Sequence, residues 1–425
     1  MQLFPHQQQA LDETRLYNRV AYYLDMGLGK TFVGAEKMKI LGADINLLIC
    51  QKSKISDWMQ HFEDNSEIYP MDLTEKGRLE DFLSTPIGSD PVVGVINYDL
   101  VFRRKELTRL DGTQFTLMLD ESSEIQNETA KRSKFILKMH PSNVILLSGT
   151  PTAGKYERLW SQLHLLGWNI SKDLFYKQYV DFEWVDMDGF WRQQINGYKN
   201  VDRLKAKLAE HGAIFMKSEE VFDLPDQTFI QIKTKAPKEY RKFMRDRVIT
   251  INGREFIGDT ILSERIYARM MCSYLNKERV AAFRDLVLST DDRLIVFYNY
   301  TEELNTMLKV IAEYEKPTSI VNGTTKDLTA YENCNDSITF VQYQAGAMGL
   351  NLQKANKVIF FSLTDRSELF EQSKKRIHRI GQQQNCFYYL MLCPSTVEED
   401  ILQTLELRKD YSDELFKKYK ESFNR

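Results

Sequence analysis

The stretch "VAYYLDMGLGKTFVGAEKMKIL", residues 20–41, contains a short apolar run, a glycine-containing loop and a helical pattern, in that order. An apolar run of this length is typical of a buried strand. A strand that leads directly into a helix is one unit of a parallel sheet covered by helices. This stretch therefore predicts an α/β fold.

The same alternation recurs on both sides of a mainly helical middle. Strand candidates in the first part are residues 20–24, 45–50, 92–98, 115–120 and 143–149. Those in the second part are residues 293–298, 318–323, 337–343, 357–362 and 386–392. Helical periodicity dominates residues 155–290, apart from the aromatic-rich "FYKQYVDFEWVDMDGFW" (175–191) and "INGREF" (251–256), whose Asn-Gly pair predicts a small hairpin. The pattern predicts two α/β lobes with helical protrusions.

Composition narrows the class of protein. A chain of 425 residues is too long to fold around a single hydrophobic core, and an apolar fraction of 43% is typical of a globular protein. The net charge of -3 does not by itself indicate a nucleic-acid partner, although it is compatible with a local basic groove. The five cysteines contain no CxxC pair, which argues against a disulfide framework or a zinc site. We expect no signal peptide and no membrane span, because no apolar run is long enough.

The loop "DMGLGKT", residues 25–31, has the residues of a phosphate-binding loop. Gly27 and Gly29 allow a tight turn with exposed backbone N–H groups, and the helix that follows adds its N-terminal dipole. Lys30 then meets the β- and γ-phosphates, and the Thr31 hydroxyl ligates Mg²⁺. The strict pattern has glycine where this chain has Leu24. The alternative is a helix that begins after an ordinary glycine turn.

The segment "FTLMLDESSEIQN", residues 115–127, ends a predicted buried strand on Asp120 and Glu121. One interpretation is a strand that emerges into solvent, where carboxylates are common. The other is that Asp120 holds Mg²⁺ through water while Glu121 polarises the attacking water. Sites of parallel sheets gather at the carboxyl ends of strands, which favours the second interpretation.

Three further loops follow predicted strands or lie near them. "LLSGTP" (146–151) places the hydroxyls of Ser148 and Thr150 where they can sense the acids, or forms an ordinary turn. "QYQAGAMGLNL" (342–352) has small residues that let N–H groups approach a phosphate of DNA or nucleotide, or forms a plain turn. "EQSKKRIHRIGQ" (371–382) places Arg376 and Arg379 on one helix face, where they stabilise γ-phosphate charge or form a solvated basic face.

These strings, in this order, resemble the motifs of helicase superfamily two and, within it, the Swi/Snf-type DNA-translocating ATPases. The resemblance covers nearly the whole chain and also includes "LFPHQQQAL", "LLICQKSKISDWMQHF" and "FMKSEEVFDLPDQ". "QSKKRIHRIGQQQ" is the most family-specific string. In the family, too, the first glycine of the phosphate loop is missing, which accounts for Leu24.

The resemblance implies two RecA-like lobes that close on ATP and Mg²⁺ at their interface. We expect lobe 1 at residues 1–227, with a helical protrusion at about 155–215, and lobe 2 at 228–425, with a protrusion at about 236–290. The implied activity is ATP-driven translocation on double-stranded DNA without strand separation. Two alternatives are a strand-separating helicase of the same superfamily and a nucleotide-dependent adaptor with weak hydrolysis. A nuclease or a recombination or restriction factor is the expected targeting partner, in a bacterial or phage-infected cytoplasm or, in a eukaryote, in the nucleus.

The resemblance also assigns roles to single residues. Gln7, next to His6, takes the place of a residue that recognises adenine, and Gly349 joins Gly27 and Gly29 in binding the nucleotide. Ser123 stands where the family has histidine, so we expect hydrolysis to be retained and its coupling to DNA to be altered. The other expected coupling residues are Ser148, Thr150 and Gln372. The expected DNA contacts are Lys52, Ser53, Tyr98, Gln344, Ala345 and Gly346.

Overall fold

The computed structural model describes residues 3–187, 190–346 and 350–416. It divides into unit 1, Met1–Val221 with Asp410–Arg425, and unit 2, Phe222–Lys409. The division falls a few residues before the expected boundary at 227/228. It also returns the last part of the chain to unit 1.

Unit 1 is built on a parallel sheet whose described strands lie in the order β3-β4-β2-β5-β6-β1-β9. These strands are β1 (Arg19–Leu24), β2 (Ile45–Cys50), β3 (Tyr69–Asp72), β4 (Val92–Asn97), β5 (Phe115–Asp120), β6 (Asn143–Leu147) and, after the hairpin of β7 and β8 described below, β9 (Ala213–Met216). Strands β2 and β4 are buried along their whole length, as the apolar runs predict. The predicted α/β class is confirmed.

The helices of unit 1 follow the strands and cover the sheet. They are α1 (Pro5–Glu13), α2 (Lys30–Leu41), α3 (Ile55–Asn65), α4 (Arg78–Leu83), α5 (Tyr98–Val101), α6 (Lys131–Ile136), α7 (Trp160–Leu165), α8 (Lys172–Tyr179), α9 (Val201–Glu210) and α10 (Ser218–Val221). The core includes Leu47, Leu117 and Leu146 from the central strands. A parallel arrangement brings the carboxyl ends of these strands to one edge, where the predicted site residues lie.

The protrusion expected at 155–215 is not wholly helical. The strands β7 (Val180–Met187) and β8 (Phe190–Tyr198) pair as an antiparallel hairpin. The side chains of Trp184, Phe190 and Trp191 on this hairpin are largely exposed, and that of Phe182 is partly exposed. The aromatic-rich stretch of the sequence therefore forms the end of α8 and this hairpin.

Unit 2 contains a second sheet, with described strands in the order β10-β18-β17-β13-β16-β14-β15. These are β10 (Gln227–Lys233), β13 (Leu294–Tyr298), β14 (Thr318–Val321), β15 (Lys326–Asp327), β16 (Ile338–Gln342), β17 (Lys357–Phe360) and β18 (Cys386–Leu392). All neighbours pair in parallel except β14 with β15. The short strands β11 (Val248–Ile251) and β12 (Arg254–Ile257) form the hairpin predicted at "INGREF". Its turn residues Asn252 and Gly253 have φ of 51° and 78°, as an Asn-Gly hairpin turn requires.

The helices of unit 2 lie between these strands and after them. They are α11 (Lys238–Asp246), α12 (Ile261–Cys272), α13 (Lys277–Leu288), α14 (Thr301–Ile311), α15 (Thr329–Asn333), α16 (Tyr343–Gly346), α17 (Ser367–Lys374) and α18 (Val397–Phe416). Helix α18 begins in unit 2, and its residues from Asp410 onward belong to unit 1. Within the described residues, no helix is both long enough and apolar enough to span a bilayer.

The returning segment packs on unit 1 through polar and aromatic contacts. The Tyr156 hydroxyl donates to the Tyr411 carbonyl at 2.7 Å, and the Tyr198 and Tyr411 rings meet edge to face at 4.8 Å. Lys205 pairs with Glu414 at 3.1 Å, and Lys217 pairs with Asp413 at 2.8 Å. Unit 1 is therefore built from two separate segments of the chain.

Candidate nucleotide-binding site

The loop between β1 and α2 has the backbone of a phosphate-binding loop. Gly27 and Gly29 have φ of 89° and 74°, a region that glycine reaches without strain. Gly29 is the N-cap of α2, a 12-residue helix whose first residue is Lys30 and whose second is Thr31. An N-terminal helix end with free N–H groups binds anions. The Lys30 ammonium lies at this end and donates to the Leu24 carbonyl at 3.0 Å.

Helix α1 places two buried side chains against this loop. His6 Nε2 and Gln7 Nε2 both donate to the Leu28 carbonyl, at 3.0 Å and 3.1 Å. Gln7 Oε1 accepts from the Phe4 amide at 3.0 Å. A methyl group added at Gly29 would lie 2.2 Å from Gln7 Nε2. The residue expected to recognise adenine therefore lies directly on the phosphate loop.

A second set of contacts ties the loop to the end of β9. Asp25 Oδ1 accepts from the Met26 amide at 2.9 Å. Asp25 Oδ2 lies 3.1 Å from Ser218 Oγ and 3.3 Å from the Ser218 amide. The carboxylate at this position of the loop thus holds the start of α10 against it.

The acidic pair lies at the carboxyl end of β5. Asp120 Oδ2 accepts from the indole Nε1 of Trp58, on α3, at 2.8 Å. Desolvation raises the pKa of Asp120, and the Trp58 hydrogen bond and the Lys30 charge oppose that rise. The Tyr98 hydroxyl donates to the Asp120 carbonyl at 2.9 Å. These contacts fix the backbone and one carboxylate oxygen of Asp120.

Glu121 is held in a left-handed backbone conformation, with φ of 54°. This region is uncommon for a residue other than glycine and persists only where the surroundings enforce it. Ser148 Oγ, after β6, lies 3.5 Å from Glu121 Oε2, and the Thr150 amide donates to Ser148 Oγ at 3.1 Å. The predicted coupling loop therefore does lie beside the acids.

Sequence reasoning missed the link between these two loops. Gln162 Oε1, on α7, accepts from Ser122 Oγ at 2.8 Å and from the Tyr23 hydroxyl at 3.0 Å. Gln162 Nε2 donates to the Pro151 carbonyl at 2.9 Å. The string "ERLWSQLHLLGW" contains Gln162, but its distance along the chain from the acids gave no signal of contact. Ser123 is buried next to this link, and its carbonyl accepts from the Gln126 amide.

In unit 2 the expectation for the two arginines is corrected. Helix α17 ends at Lys374, so Arg376 and Arg379 lie in the turns that follow it and do not share a helix face. After Lys374 the backbone hydrogen bonds change. The Arg376 amide donates to the Ser373 carbonyl, three residues earlier, and the Arg376 carbonyl accepts from the Leu352 amide. Arg376 is buried, and its Nη1 donates to the Leu350 carbonyl at 3.3 Å. Burial lowers the pKa of Arg379 from its ordinary value.

The other predicted residues of unit 2 occupy different surroundings. Gln344, Ala345 and Gly346 form the short helix α16 with Tyr343, directly after β16. Gln344 is exposed, whereas the Ala345 side chain is buried. Gln372 is buried on α17, and Gly349 lies outside the described residues.

Comparison with known proteins decides the family. The SNF2-related domain model matches residues 24–278, more than half of the chain, and the helicase conserved C-terminal domain matches residues 278–381. The chain belongs to the SNF2-related family. The resemblance stated from the motifs is confirmed.

Curated SNF2 relatives are similar along most of this chain. The ISWI chromatin-remodeling complex ATPase ISW1 of Saccharomyces cerevisiae is 25% identical over 451 residues, covering 92% of this chain and 38% of the relative. The SWI/SNF-related matrix-associated actin-dependent regulator of chromatin subfamily A member 1 of Mus musculus is 22% identical, covering 90% of this chain and 40% of the relative. The chain spans less than half the length of these relatives. The Sulfolobus solfataricus SWI2/SNF2 ATPase core in complex with dsDNA aligns over 97% of this chain and 92% of that chain, with 18% identity and a TM-score of 0.46.

A groove of about 880 Å³ lies at the carboxyl ends of β2, β3 and β4 in the first SNF2 lobe. The predicted DNA contact Lys52 lines it together with Arg103, and Ser53 is exposed next to Lys52. Four carboxylates also line it, those of Glu63, Asp72, Glu75 and Asp99. Tyr98, another predicted DNA contact, is buried, and its hydroxyl donates to the Asp120 carbonyl. This groove is less basic than a phosphate-tracking surface usually is.

Proposed function

We propose that this SNF2-family chain is an ATP-dependent translocase on double-stranded DNA that does not separate the strands. One arrangement carries the proposal: Lys30 at the start of α2 and the pair Asp120 and Glu121 at the end of β5 lie at the carboxyl edge of one parallel sheet. The Lys30 charge lowers the pKa of Asp120, opposing the rise that burial causes. A lysine that can bind phosphates, placed beside two carboxylates, is the arrangement that nucleotide hydrolases use.

The residues also fit Mg²⁺, which prefers hard oxygen ligands. The Asp120 carboxylate and the Thr31 hydroxyl are such ligands, and one Asp120 oxygen is already fixed by Trp58. When bound, Mg²⁺ supplies neutralisation of phosphate charge. In this proposal Lys30 and the α2 N–H groups hold the phosphates, with Gly27 and Gly29 shaping the loop. Glu121 orients and deprotonates the attacking water.

The remaining roles come to this chain from the resemblance. Gln7 contacts adenine, and Gly349 contributes to nucleotide binding. Arg376 and Arg379 stabilise the charge that develops on the γ-phosphate. Ser123, Ser148, Thr150 and Gln372 couple hydrolysis to movement on DNA. Contacts to DNA phosphates come from Lys52, Ser53, Tyr98 and residues 344–346. The proposed compartment is a bacterial or phage-infected cytoplasm, or the nucleus of a eukaryote.

The deciding experiment measures ATP hydrolysis without nucleic acid and with single-stranded DNA, duplex DNA or RNA. We expect strong stimulation by duplex DNA. We also expect displacement of a third strand from a DNA triplex and no unwinding of a forked duplex. Lys30→Met should abolish hydrolysis, whereas Lys39→Met, on the exposed side of α2, should not. Stimulation by RNA alone would overturn the substrate, and fork unwinding would favour the strand-separating alternative.

A further inference from the structure

A buried polar cluster in unit 2 has no part in the proposed nucleotide chemistry. Cys272 ends α12, Cys393 follows β18, and Glu398 lies in the first turn of α18. The two sulfur atoms and a carboxylate oxygen of Glu398 lie within 4.8 Å of one another. Both cysteine side chains are fully buried, so a small oxidant reaches them only when the packing around α12 and α18 opens locally.

The Cys393 sulfur lies among three side-chain donors and two backbone carbonyls, those of Cys272 at 3.7 Å and Lys235 at 3.9 Å. Asn276 Nδ2 lies 3.2 Å from it, Thr234 Oγ1 lies 3.4 Å away, and Arg279 Nη2 lies 3.5 Å away. A thiolate is stabilised by a nearby cation and by donors of this kind. A hydrogen bond from Cys272, with help from Arg279, lowers the pKa of Cys393 to about 6. The same hydrogen bond and burial raise the pKa of Cys272.

The two sulfurs are therefore unequal in their surroundings, because the Asn276 amide and the Arg279 guanidinium lie beside Cys393 and favour its thiolate form. Glu398 does not take part as a base, because Arg279 Nη1 donates to Glu398 Oε1 at 2.7 Å and Nη2 donates to Oε2. The Cys393 amide also donates to Glu398 Oε2, at 2.8 Å. The carboxylate instead holds Arg279 in place beside Cys393.

A metal site is a weaker interpretation of the same cluster. Cysteine and carboxylate ligands can hold a divalent cation. Here the Arg279 guanidinium already neutralises Glu398 and lies beside the Cys393 sulfur, so a second cation would be repelled.

We propose that Cys272 and Cys393 are a redox-active pair that forms a reversible disulfide when a hydroperoxide is present. The Cys393 thiolate attacks the terminal OH oxygen of the hydroperoxide, the O–O bond breaks, hydroxide (from hydrogen peroxide) or an alkoxide (from an organic hydroperoxide) leaves, and Cys393 becomes a sulfenic acid. The Cys272 sulfur then attacks the Cys393 sulfur, the S–O bond breaks, and water leaves with the Cys272 proton. Two electrons pass from the two sulfurs to the peroxide, and a dithiol reductant reverses the step.

The disulfide would join the end of α12 to the end of β18, two elements far apart in the sequence. Cross-linking distant positions restricts the unfolded chain and stabilises the folded one. We therefore expect the oxidised protein to melt about 5–10 °C above the reduced protein, provided that the bond forms without strain.

The test treats the full chain with hydrogen peroxide, alkylates free thiols after unfolding, and maps the cysteines by mass spectrometry. We expect a cross-linked peptide pair containing residues 272 and 393, a mass lower by two hydrogens, and full reversal by dithiothreitol. Cys334, which is half-buried and directly follows α15, is the internal control and should not join a disulfide. A disulfide between other cysteines, or free Cys272 and Cys393 after treatment, would overturn the proposal.

Two variants separate the roles of the sulfurs. In Cys272→Ser, the sulfenic acid on Cys393 has no partner and should accumulate as a dimedone adduct. In Cys393→Ser, Cys272 should neither react with peroxide nor form an adduct. Equal adduct formation in both variants would contradict the assignment, and the wild-type map decides the question if a variant fails to fold. One equivalent of zinc retained by the untreated protein, with both thiols protected from alkylation, would replace the redox pair by a metal site.

Discussion

Asp120 shows how one side chain depends on neighbours from several elements. Its desolvation favours the neutral acid, and the Trp58 indole and the Lys30 charge favour the carboxylate, which is the form that the proposed Mg²⁺ site needs. A hydrogen bond to a charged group is worth about 1.5–3 kcal/mol, because it replaces water that the carboxylate has lost. Trp58 is therefore a positioning residue that also opposes the rise in the pKa of Asp120.

Trp58→Phe tests this dependence. The substitution keeps a ring in the core but removes the N–H donor, so the pKa of Asp120 should rise further. The acid limb of the pH–rate profile of ATP hydrolysis should then move to higher pH, with a loss of about tenfold in rate near neutrality. Trp160→Phe is a matched control, because the Trp160 indole donates at 2.9 Å to the Ile170 carbonyl, away from the acids. Identical pH profiles for the two variants would contradict the role of Trp58.

For single residues, the sequence predicts which side chains can carry chemistry better than it predicts which side chains contact one another. Lys30, Asp120 and Glu121 were predicted because their residue types follow strands at positions where sites gather. The Gln162 link was missed because its partners Ser122, Tyr23 and Pro151 come from separate segments. The helix face for Arg376 and Arg379 was wrong because tertiary pairing with Leu350 and Leu352 ends the helix at Lys374.

Helix α2 illustrates the same division between local and tertiary causes at the scale of an element. Gly29 caps its start and Gly42 caps its end, and both are left-handed, with φ of 74° and 64°. Alanine at either position costs about 1 kcal/mol of backbone strain. Only at Gly29 would the new methyl group also collide with Gln7, since nothing lies within 4 Å of the position at Gly42.

The pair Gly29→Ala and Gly42→Ala therefore separates strain from function. Both should lower the free energy of unfolding by about 1 kcal/mol through backbone strain, and Gly29→Ala should lower it further because its methyl group collides with Gln7. Only Gly29→Ala should weaken binding of a fluorescent ATP analogue, by about tenfold or more, because it displaces Gln7 and distorts the phosphate loop. Similar analogue affinities in the two variants would show that Gln7 and Gly29 do not shape the nucleotide site.

Within the two seven-stranded sheets, the strands missed from the sequence share one position. All inner strands were predicted, whereas β3 and β9 at the edges of the first sheet and β10 and β15 at the edges of the second were not. An inner parallel strand is buried on both faces and forms a continuous apolar run. The edge strand β10 alternates between exposed and half-buried residues, and β15 is exposed. Edge strands therefore carry a weaker signal than inner strands.

At the scale of the whole molecule, the balance of charge bears on DNA binding. Lysine and arginine number 57 and aspartate and glutamate number 60, and the groove beside Lys52 carries four carboxylates. Each phosphate that a cation neutralises adds about -0.9 to the slope of log affinity against log salt concentration. That corresponds to about 3.5-fold weaker binding per contact between about 50 mM and about 200 mM salt.

Lys52→Ala should reduce the salt slope of duplex-DNA binding by about 0.9, if Lys52 contacts one phosphate as proposed. Lys39→Ala removes an exposed charge on α2 of the same unit and should leave the slope unchanged. Fluorescence anisotropy at several salt concentrations measures both slopes. Equal slopes for Lys52→Ala and the wild type would remove Lys52 from the DNA footprint.

The return of the chain to unit 1 makes a separate prediction. A stop after Lys409 removes the partners of Tyr156, Lys205 and Lys217, which should cost unit 1 about 2–3 kcal/mol. A stop after Phe416 keeps all three contacts and serves as the control. All five tryptophans, residues 58, 160, 168, 184 and 191, lie in unit 1, so tryptophan fluorescence during urea unfolding follows that unit alone. Equal urea midpoints for the two truncations would show that the contacts add nothing.

The same return has a genetic consequence. The phosphate loop, the acidic pair and the Gln162 link are all encoded before codon 222, yet unit 1 is completed only by codons from 410 onward. A nonsense or frameshift mutation late in the reading frame would therefore weaken the nucleotide-binding unit that the early codons encode. For the same reason, the two units could not be exchanged between genes by a single crossover, since one breakpoint would leave unit 1 with a foreign final segment.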